Sequence, residues 1–284
     1  MSENKAKQMK DISNPEELRQ YLITKGKNHR QYMHYTNFAG LIGMIASGYF
    51  HLSKGDRMND RQEVQKGCPE VWENTFIGSF AYGQNENMAM WGLYSLPWED
   101  GVCISIPRKQ MLEWLQSMTQ IYRIENDGTY TAIDAQSEAV LTDVAYVGEP
   151  AGMMVKRYNE IVRVTEENHA LKNINSSAIL TGFIKNDAWH YENEARLRIQ
   201  FENRQQLGRI AVKFAPGTIE GMTVVFGPWS KKDAIQRLDA KIKEMLRPNG
   251  LLGRESSYTG MVHYNTACRY CKGKVFTRAA DPVV

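Results

Sequence analysis

The stretch DAWHYENEARLRI, Asp187 to Ile199, frames the reading of the whole chain. Taken as an extended segment, it puts Glu192, Glu194, Arg196 and Arg198 on one side and Ala195, Leu197 and Ile199 on the other, because successive strand side chains alternate faces. The spacing predicts two carboxylates about 7 Å apart that look the same way. Two readings are open at this point: a solvated sheet face with cross-strand charge pairs, or two acids gathered for chemistry. Other segments have to supply the groups such a pair would act with.

Downstream, GRIAVKFA and MTVVFGP have the β-branched content of strands, so three strands follow in quick succession. Ser230 and Asp233 then have the spacing of a capping box, and Ile235, Leu238, Ile242 and Met245 recur on one helical face as far as Pro248 to Gly250. Upstream, VLTDVAYVG (140–148) reads as a strand and residues 151–182 as mainly helical. FIGSFAY (76–82) and GVCISIP (101–107) read as strands around a helical turn, NMAMWGLYS, and Met111, Leu112, Leu115 and Met118 space as a helix. KGDRMNDRQEVQKG (54–67) has no apolar periodicity and predicts a loop or solvated turn.

Near the N-terminus, Asn14 and Pro15 have the characters of an N-cap and a first helical residue, ahead of a stripe of Leu18, Tyr21 and Leu22. YMHYT (32–36) and YFHLS (49–53) predict strands, and Phe38, Leu41, Ile42 and Ile45 share a helical face between them that Gly48 closes. No repeat or low-complexity linker divides the chain. The pattern predicts one α+β domain over residues 13–250, with a flexible polar arm at 1–12 and a C-terminal extension at 251–284.

With 284 residues, 42% of them hydrophobic and 24% charged, the chain can bury a sizeable core. A formal net charge of +3 permits an anionic ligand or a nucleic acid but falls short of a dedicated duplex binder. No apolar run approaches the roughly 18 residues of a membrane span, and the polar start is unlike a secretory signal, so a cytoplasmic protein without membrane contact is expected. Cys68, Cys103, Cys268 and Cys271 are too few and too scattered for a disulfide framework, and reduced thiols are expected. Cys268 and Cys271 form CRYC with His263 upstream, but structural zinc needs four ligands, and no metal is expected.

Six short motifs come in a fixed order: YMHYTNFAGLIGMIASGYFHLS, DRMNDRQE, GSFAY, MAMWGLYS, GVCISI and WHYENEARLRI. Over roughly residues 31 to 230 they resemble a family of uncharacterised bacterial proteins similar to ADP-ribosyltransferases. The resemblance implies a split β-sheet core flanked by helices and NAD as co-substrate. His34, Tyr35 and Thr36 would hold the nicotinamide end, with His34 on a ribose hydroxyl and the Tyr35 backbone at the carboxamide. Ser79, in the second motif, would support the site, while Trp91 and Tyr94 would offer aromatic surface to the cationic ring or serve as core.

In the third motif the resemblance makes Glu194 the catalytic residue, gripping the ribose 2′-hydroxyl, and Glu192 the residue that orients the nucleophile. Arg196 and Arg198 would pair with these acids or reach phosphate oxygens. In the loop, Arg57, Asn59, Asp60 and Glu63 would serve the pyrophosphate or cap a turn. A His-type first motif is joined here to a Glu-x-Glu third motif, and Tyr35 stands where many relatives have glycine.

The activity implied is mono-ADP-ribosyl transfer to a macromolecule, in a toxin or antiphage effector with an antitoxin protein as partner; the mild excess of base, Arg196 and Arg198, and the aromatic residues around the proposed site favour RNA or DNA ahead of protein as acceptor. A nucleotide- or partner-binding module without catalysis and an NAD glycohydrolase compete with it. So does a metal nuclease built from Asp56, Asp60, Glu63, Glu192 and Glu194, which would be sensitive to chelators.

Overall fold

Asn14 accepts the Glu17 amide hydrogen at 3.0 Å and Pro15 takes the first helical position, so α1 (Pro15–Gly26) starts where its sequence predicts. The computed structural model describes residues 12, 14–83, 86–147, 178–204, 206–230, 232–246, 276–278 and 281–282. After α1 come β1 (Gln31–Asn37), α2 (Phe38–Ser47), β2 (Tyr49–Lys54), α3 (Arg61–Lys66), α4 (Pro69–Trp72), β3 (Thr75–Tyr82) and α5 (Met88–Tyr94). Then follow β4 (Gly101–Pro107), α6 (Arg108–Ser117), β5 (Ile121–Ile124), β6 (Tyr130–Ala132), β7 (Ser137–Asp143) and β8 (Ala145–Val147). The last elements that matter for the site are β9 (Ile184–Asn186), β10 (Glu194–Phe201), β11 (Arg209–Lys213), β12 (Thr223–Phe226) and α7 (Lys232–Leu246). The architecture is mixed α/β, with a mostly antiparallel sheet and flanking helices. Among the described residues no helix is long and apolar enough to cross a membrane.

Two compact units share the chain, one from residues 1–28, 51–79 and 122–210 and the other from 29–50, 80–121 and 211–284. Because contacts between distant segments create this division, no linker composition marks it. In the first unit β10 pairs with both β7 and β3, and the register with β7 runs from Ala195 opposite Asp143 to Phe201 opposite Ser137. Helix α1 lies against β7 so closely that a Cβ on Gly26 would come within 2.5 Å of the Thr142 backbone. Ile12, Leu18, Leu22, Ile23, Val140 and Phe183 fill the core on that side. Burying such side chains is the main favourable term, at about 25 cal/mol per Å² of apolar area.

In the second unit β4 lies between β12 and β1, antiparallel to both, and Tyr32 and Met33 of β1 pair with Tyr82 and Ala81. Its core is aromatic: Phe50 stacks on Phe80 at 5.2 Å and meets Trp114 edge-on at 5.6 Å. The Trp114 indole donates to the Lys213 carbonyl at 2.8 Å, which fastens α6. Asn37 caps α2, and Gly48 ends it at φ 71°, the left-handed conformation that glycine takes without strain.

Several expectations are corrected. Residues 187–192 form a 3-10 turn, so the strand begins at Glu194 and Glu192 is not on it. The cause is local: the Asn186 side chain caps the turn through the Ala188 amide, and Asn193 closes it at φ 44°. Residues 54–67 form a 3-10 turn at Gly55–Arg57 and helix α3, capped by Asp60, in place of a loop. The run expected as one strand at 140–148 is broken at Val144 into β7 and β8, and β8 pairs in parallel with β9. The Ser230 hydroxyl donates to the Gly101 carbonyl at 3.2 Å. The arm up to residue 11, residues 148–177, and Cys268, Cys271 and His263 lie outside the described residues.

Candidate functional site

Strand alternation puts Glu194, Arg196 and Arg198 on one face of β10. That face is not solvated: Glu194 is 2% exposed, Arg196 0% and Arg198 1%. Ion-forming side chains are buried this fully only when partners surround them. Helix α3 brings the first partner. Its cap residue Asp60 also accepts the Asn186 amide hydrogen at 3.3 Å, and Gln62 accepts from the Asn186 side chain at 3.0 Å, which ties α3 to β9. Glu63 is thereby carried to Arg196.

All five N–H groups of Arg196 are used. Nε donates to Glu194 Oε1 at 2.8 Å, and Nη2 donates to Glu194 Oε2 and Glu63 Oε2, each at 2.9 Å. Nη1 donates to Glu63 Oε1 and to the Gly182 carbonyl. Two carboxylates thus grip one guanidinium in forked geometry, the strongest form of such pairing. Lys185 of β9 donates to Glu192 Oε2 at 2.5 Å and to Glu194 Oε2 at 3.2 Å, and its ammonium lies 4.8 Å from the Trp189 ring centre. The Ser79 hydroxyl donates to Glu194 Oε1 at 2.6 Å, and the Glu194 amide donates to the Tyr146 hydroxyl at 2.7 Å.

Burial by itself would raise the Glu194 carboxyl, but the Arg196 and Lys185 cations, with hydrogen bonds from Arg196 and Ser79, reverse this and hold it at about 2. Glu194 is therefore ionised at neutral pH. Burial pushes Glu63 up despite the Arg196 charge beside it, and burial with the Glu194 charge pushes the Tyr146 phenol up. Arg198 has a different setting. Nε donates to the Thr181 carbonyl at 3.2 Å, Nη2 to Gln200 at 2.6 Å, and the guanidinium lies over Phe183 at 4.9 Å, while buried Nη1 has no hydrogen-bond partner among the described residues. Burial lowers Arg198 to about 10, which still leaves it charged at neutral pH.

Of the residues expected at a site, the first unit brings Glu63, Ser79, Glu192, Glu194 and Arg196 together. Arg57 and Asn59 belong to the same unit but are exposed; the Arg57 guanidinium lies against Gly208, where a Cβ would be 2.9 Å away. His34, Tyr35, Thr36, Trp91 and Tyr94 belong to the second unit. There the His34 ring meets Phe50 edge-on at 5.0 Å, and the Tyr35 hydroxyl accepts the Asn87 amide hydrogen at 3.3 Å. Trp91 is fully buried, packs edge-on against Tyr35 at 5.0 Å, and donates its indole N–H to Glu86 at 3.1 Å, so it is core. Thr36 lies under α2, where a Cβ on Gly40 would meet its hydroxyl at 2.3 Å, and Tyr94 is half-buried.

Sequence reasoning did not find Lys185, Tyr146 or Glu86. Lys185 precedes Glu192 by seven positions, a spacing that means nothing until the 3-10 turn doubles the chain back. Among the described residues no cluster of three or more His, Cys, Asp or Glu side chains is disposed to hold a metal ion.

A family model described as "Protein of unknown function (DUF2971)" matches residues 90–197. The matched span includes Trp91, Tyr94, Lys185, Glu192, Glu194 and Arg196, and excludes His34, Glu63 and Ser79. No curated protein matches the chain, and no solved structure matches it.

Proposed function

We propose that the chain is a mono-ADP-ribosyltransferase that takes NAD as co-substrate and uses Glu194 as its catalytic carboxylate. The hydrogen bond from Ser79 to Glu194 carries the reading: the residue expected to support the site is bonded to the residue expected to perform the chemistry, and that carboxylate is held ionised out of water. Three carboxylates, Glu63, Glu192 and Glu194, share the cations Lys185 and Arg196. The surplus of negative charge suits a reaction in which positive charge grows. As the bond between ribose and nicotinamide breaks, its electron pair leaves with the ring, which becomes neutral, and the ribosyl carbon gains cationic character. Glu194 stabilises that carbon, and Glu192 orients the nucleophile that captures it. With every N–H of Arg196 used, the pyrophosphate falls to exposed groups such as Arg57.

The acceptor class favoured is an unpaired nucleic acid, and the biological setting a toxin or antiphage effector held in check by an antitoxin. One observation favours a second reading, a binding module without catalysis. Each oxygen of Glu194 is already bonded, Oε1 to Ser79 and Arg196, Oε2 to Lys185 and Arg196. Incubation with labelled NAD separates the two. Glu194→Gln is expected to lower nicotinamide release by about 10²–10³-fold with the fold intact by near-ultraviolet circular dichroism. Ser79→Ala is expected to lower it by about 10-fold. No release from the wild type, or release from Glu194→Gln equal to that of the wild type, would sink the assignment. Label found only as free ADP-ribose would make the protein a glycohydrolase.

A further inference from the structure

A single ammonium holds both acids of the Glu-x-Glu pair. Lys185 Nζ lies 2.5 Å from Glu192 Oε2 and 3.2 Å from Glu194 Oε2, is almost wholly buried, and is covered by the Trp189 indole. Arg196 spends its N–H groups on Glu63, Glu194 and the Gly182 carbonyl, so it does not duplicate this bridge. We propose that Lys185 is a positioning residue of the site: its ammonium sets the spacing between Glu194 and Glu192 and supplies the counter-charge that the pair needs. The assignment rests on the ADP-ribosyl transfer reading.

The charged and polar groups facing Lys185 and its partners come from several elements. Glu192 stands on the 3-10 turn, Glu194 and Arg196 on β10, Glu63 on α3, Tyr146 on β8 and Ser79 on β3. Without Lys185, Arg196 would remain bonded to Glu63 and Glu194 while Glu192 lost the ammonium beside it, and like charges so close cannot all stay ionised. One of them would take up a proton near neutral pH, and the spacing of the pair would no longer be imposed.

The test uses Lys185→Met and Lys185→Arg in the full chain, with nicotinamide release from NAD followed against pH and glutamate side-chain carbons titrated by carbon-13 NMR. Lys185→Met is expected to move the acid limb of kcat upward by about one pH unit or more, and to show a carboxyl titration absent from the wild type. A merely structural role would lower activity equally at all pH values. Lys185→Arg keeps the charge but changes the reach, so it is expected to keep the wild-type acid limb with kcat about 10-fold lower. An unchanged acid limb in Lys185→Met with no new titration overturns the proposal. If Lys185→Met does not fold, Lys185→Arg decides, and wild-type kcat in that variant overturns it. Absence of nicotinamide release from the wild type defeats the transferase reading instead, and the carboxyl titration still decides what Lys185 does for the pair.

Discussion

Glu86 shows how far a single residue's surroundings can move its chemistry. Burial pushes its carboxyl up from 4.5 to about 7, against the pull of the Trp91 indole N–H that it accepts. In the unfolded chain the group ionises near its ordinary value, so between those two pH values the folded state holds a proton that the unfolded state has released. Stability from this group is therefore fully present below about pH 4.5 and is lost as pH rises through about 7. The full swing is on the order of 3 kcal/mol. Glu86→Gln retains an acceptor for the indole but cannot ionise. Urea denaturation is expected to find the variant about 1–3 kcal/mol more stable than the wild type at pH 8 and equal to it at pH 4. Parallel pH dependences for the two proteins would refute this account. Glu194 works in the opposite sense: its depressed carboxyl contributes stability above its unfolded value, and that contribution is lost as pH falls towards about 2.

Helix α3 is six residues long and has almost no apolar stripe, so a period-based reading passes over it. What holds it are its ends and one side chain. Asp60 caps it through the Gln62 amide at 2.9 Å and also holds the Asn186 amide, while Glu63 is locked to Arg196. A short helix of this kind has little stability of its own and depends on such anchors. Asp60→Ala is expected to cost about 1–2 kcal/mol of unfolding free energy in urea denaturation, and Asp60→Asn, another good cap, to recover most of it. No loss in the alanine variant would show that Gln62 and Glu63 anchor the helix without the cap. Asp60 and Glu63 do have the spacing of a capping box, so half of the signal was present in the sequence. The glutamate, however, turns away to Arg196.

At the scale of the molecule, 35 basic residues stand against 32 acidic ones, and the site itself is rich in carboxylates. Such a balance does not support strong binding to duplex phosphate. Retardation of duplex DNA in gels is expected to vanish by about 150–200 mM salt, with affinity no tighter than about 10⁻⁶ M at physiological salt. Nanomolar duplex binding in that buffer would mean that a basic surface dominates recognition. The division into two units belongs to this scale too. The chain passes between them at residues 28–29, 50–51, 79–80, 121–122 and 210–211, inside strands as well as loops.

Local signals were legible wherever the deciding forces act within a few residues: the Asn14–Pro15 start of α1, the Gly48 end of α2, and the alternation that puts Glu194, Arg196 and Arg198 on one side of β10. The resemblance of short motifs singled out Ser79, Glu192, Glu194 and Arg196. Residue order was silent on what surrounds them. Glu63 and Arg196 are 133 positions apart and Ser79 and Glu194 are 115 apart, and Lys185 reaches Glu192 only because a six-residue turn folds back. Hydrogen bonds and ion pairs depend on distance in space, while periodicity and caps depend on distance along the chain. For that reason the same run of charges that could have faced water lies instead in a dry network, with Glu194 and Arg196 fully bonded.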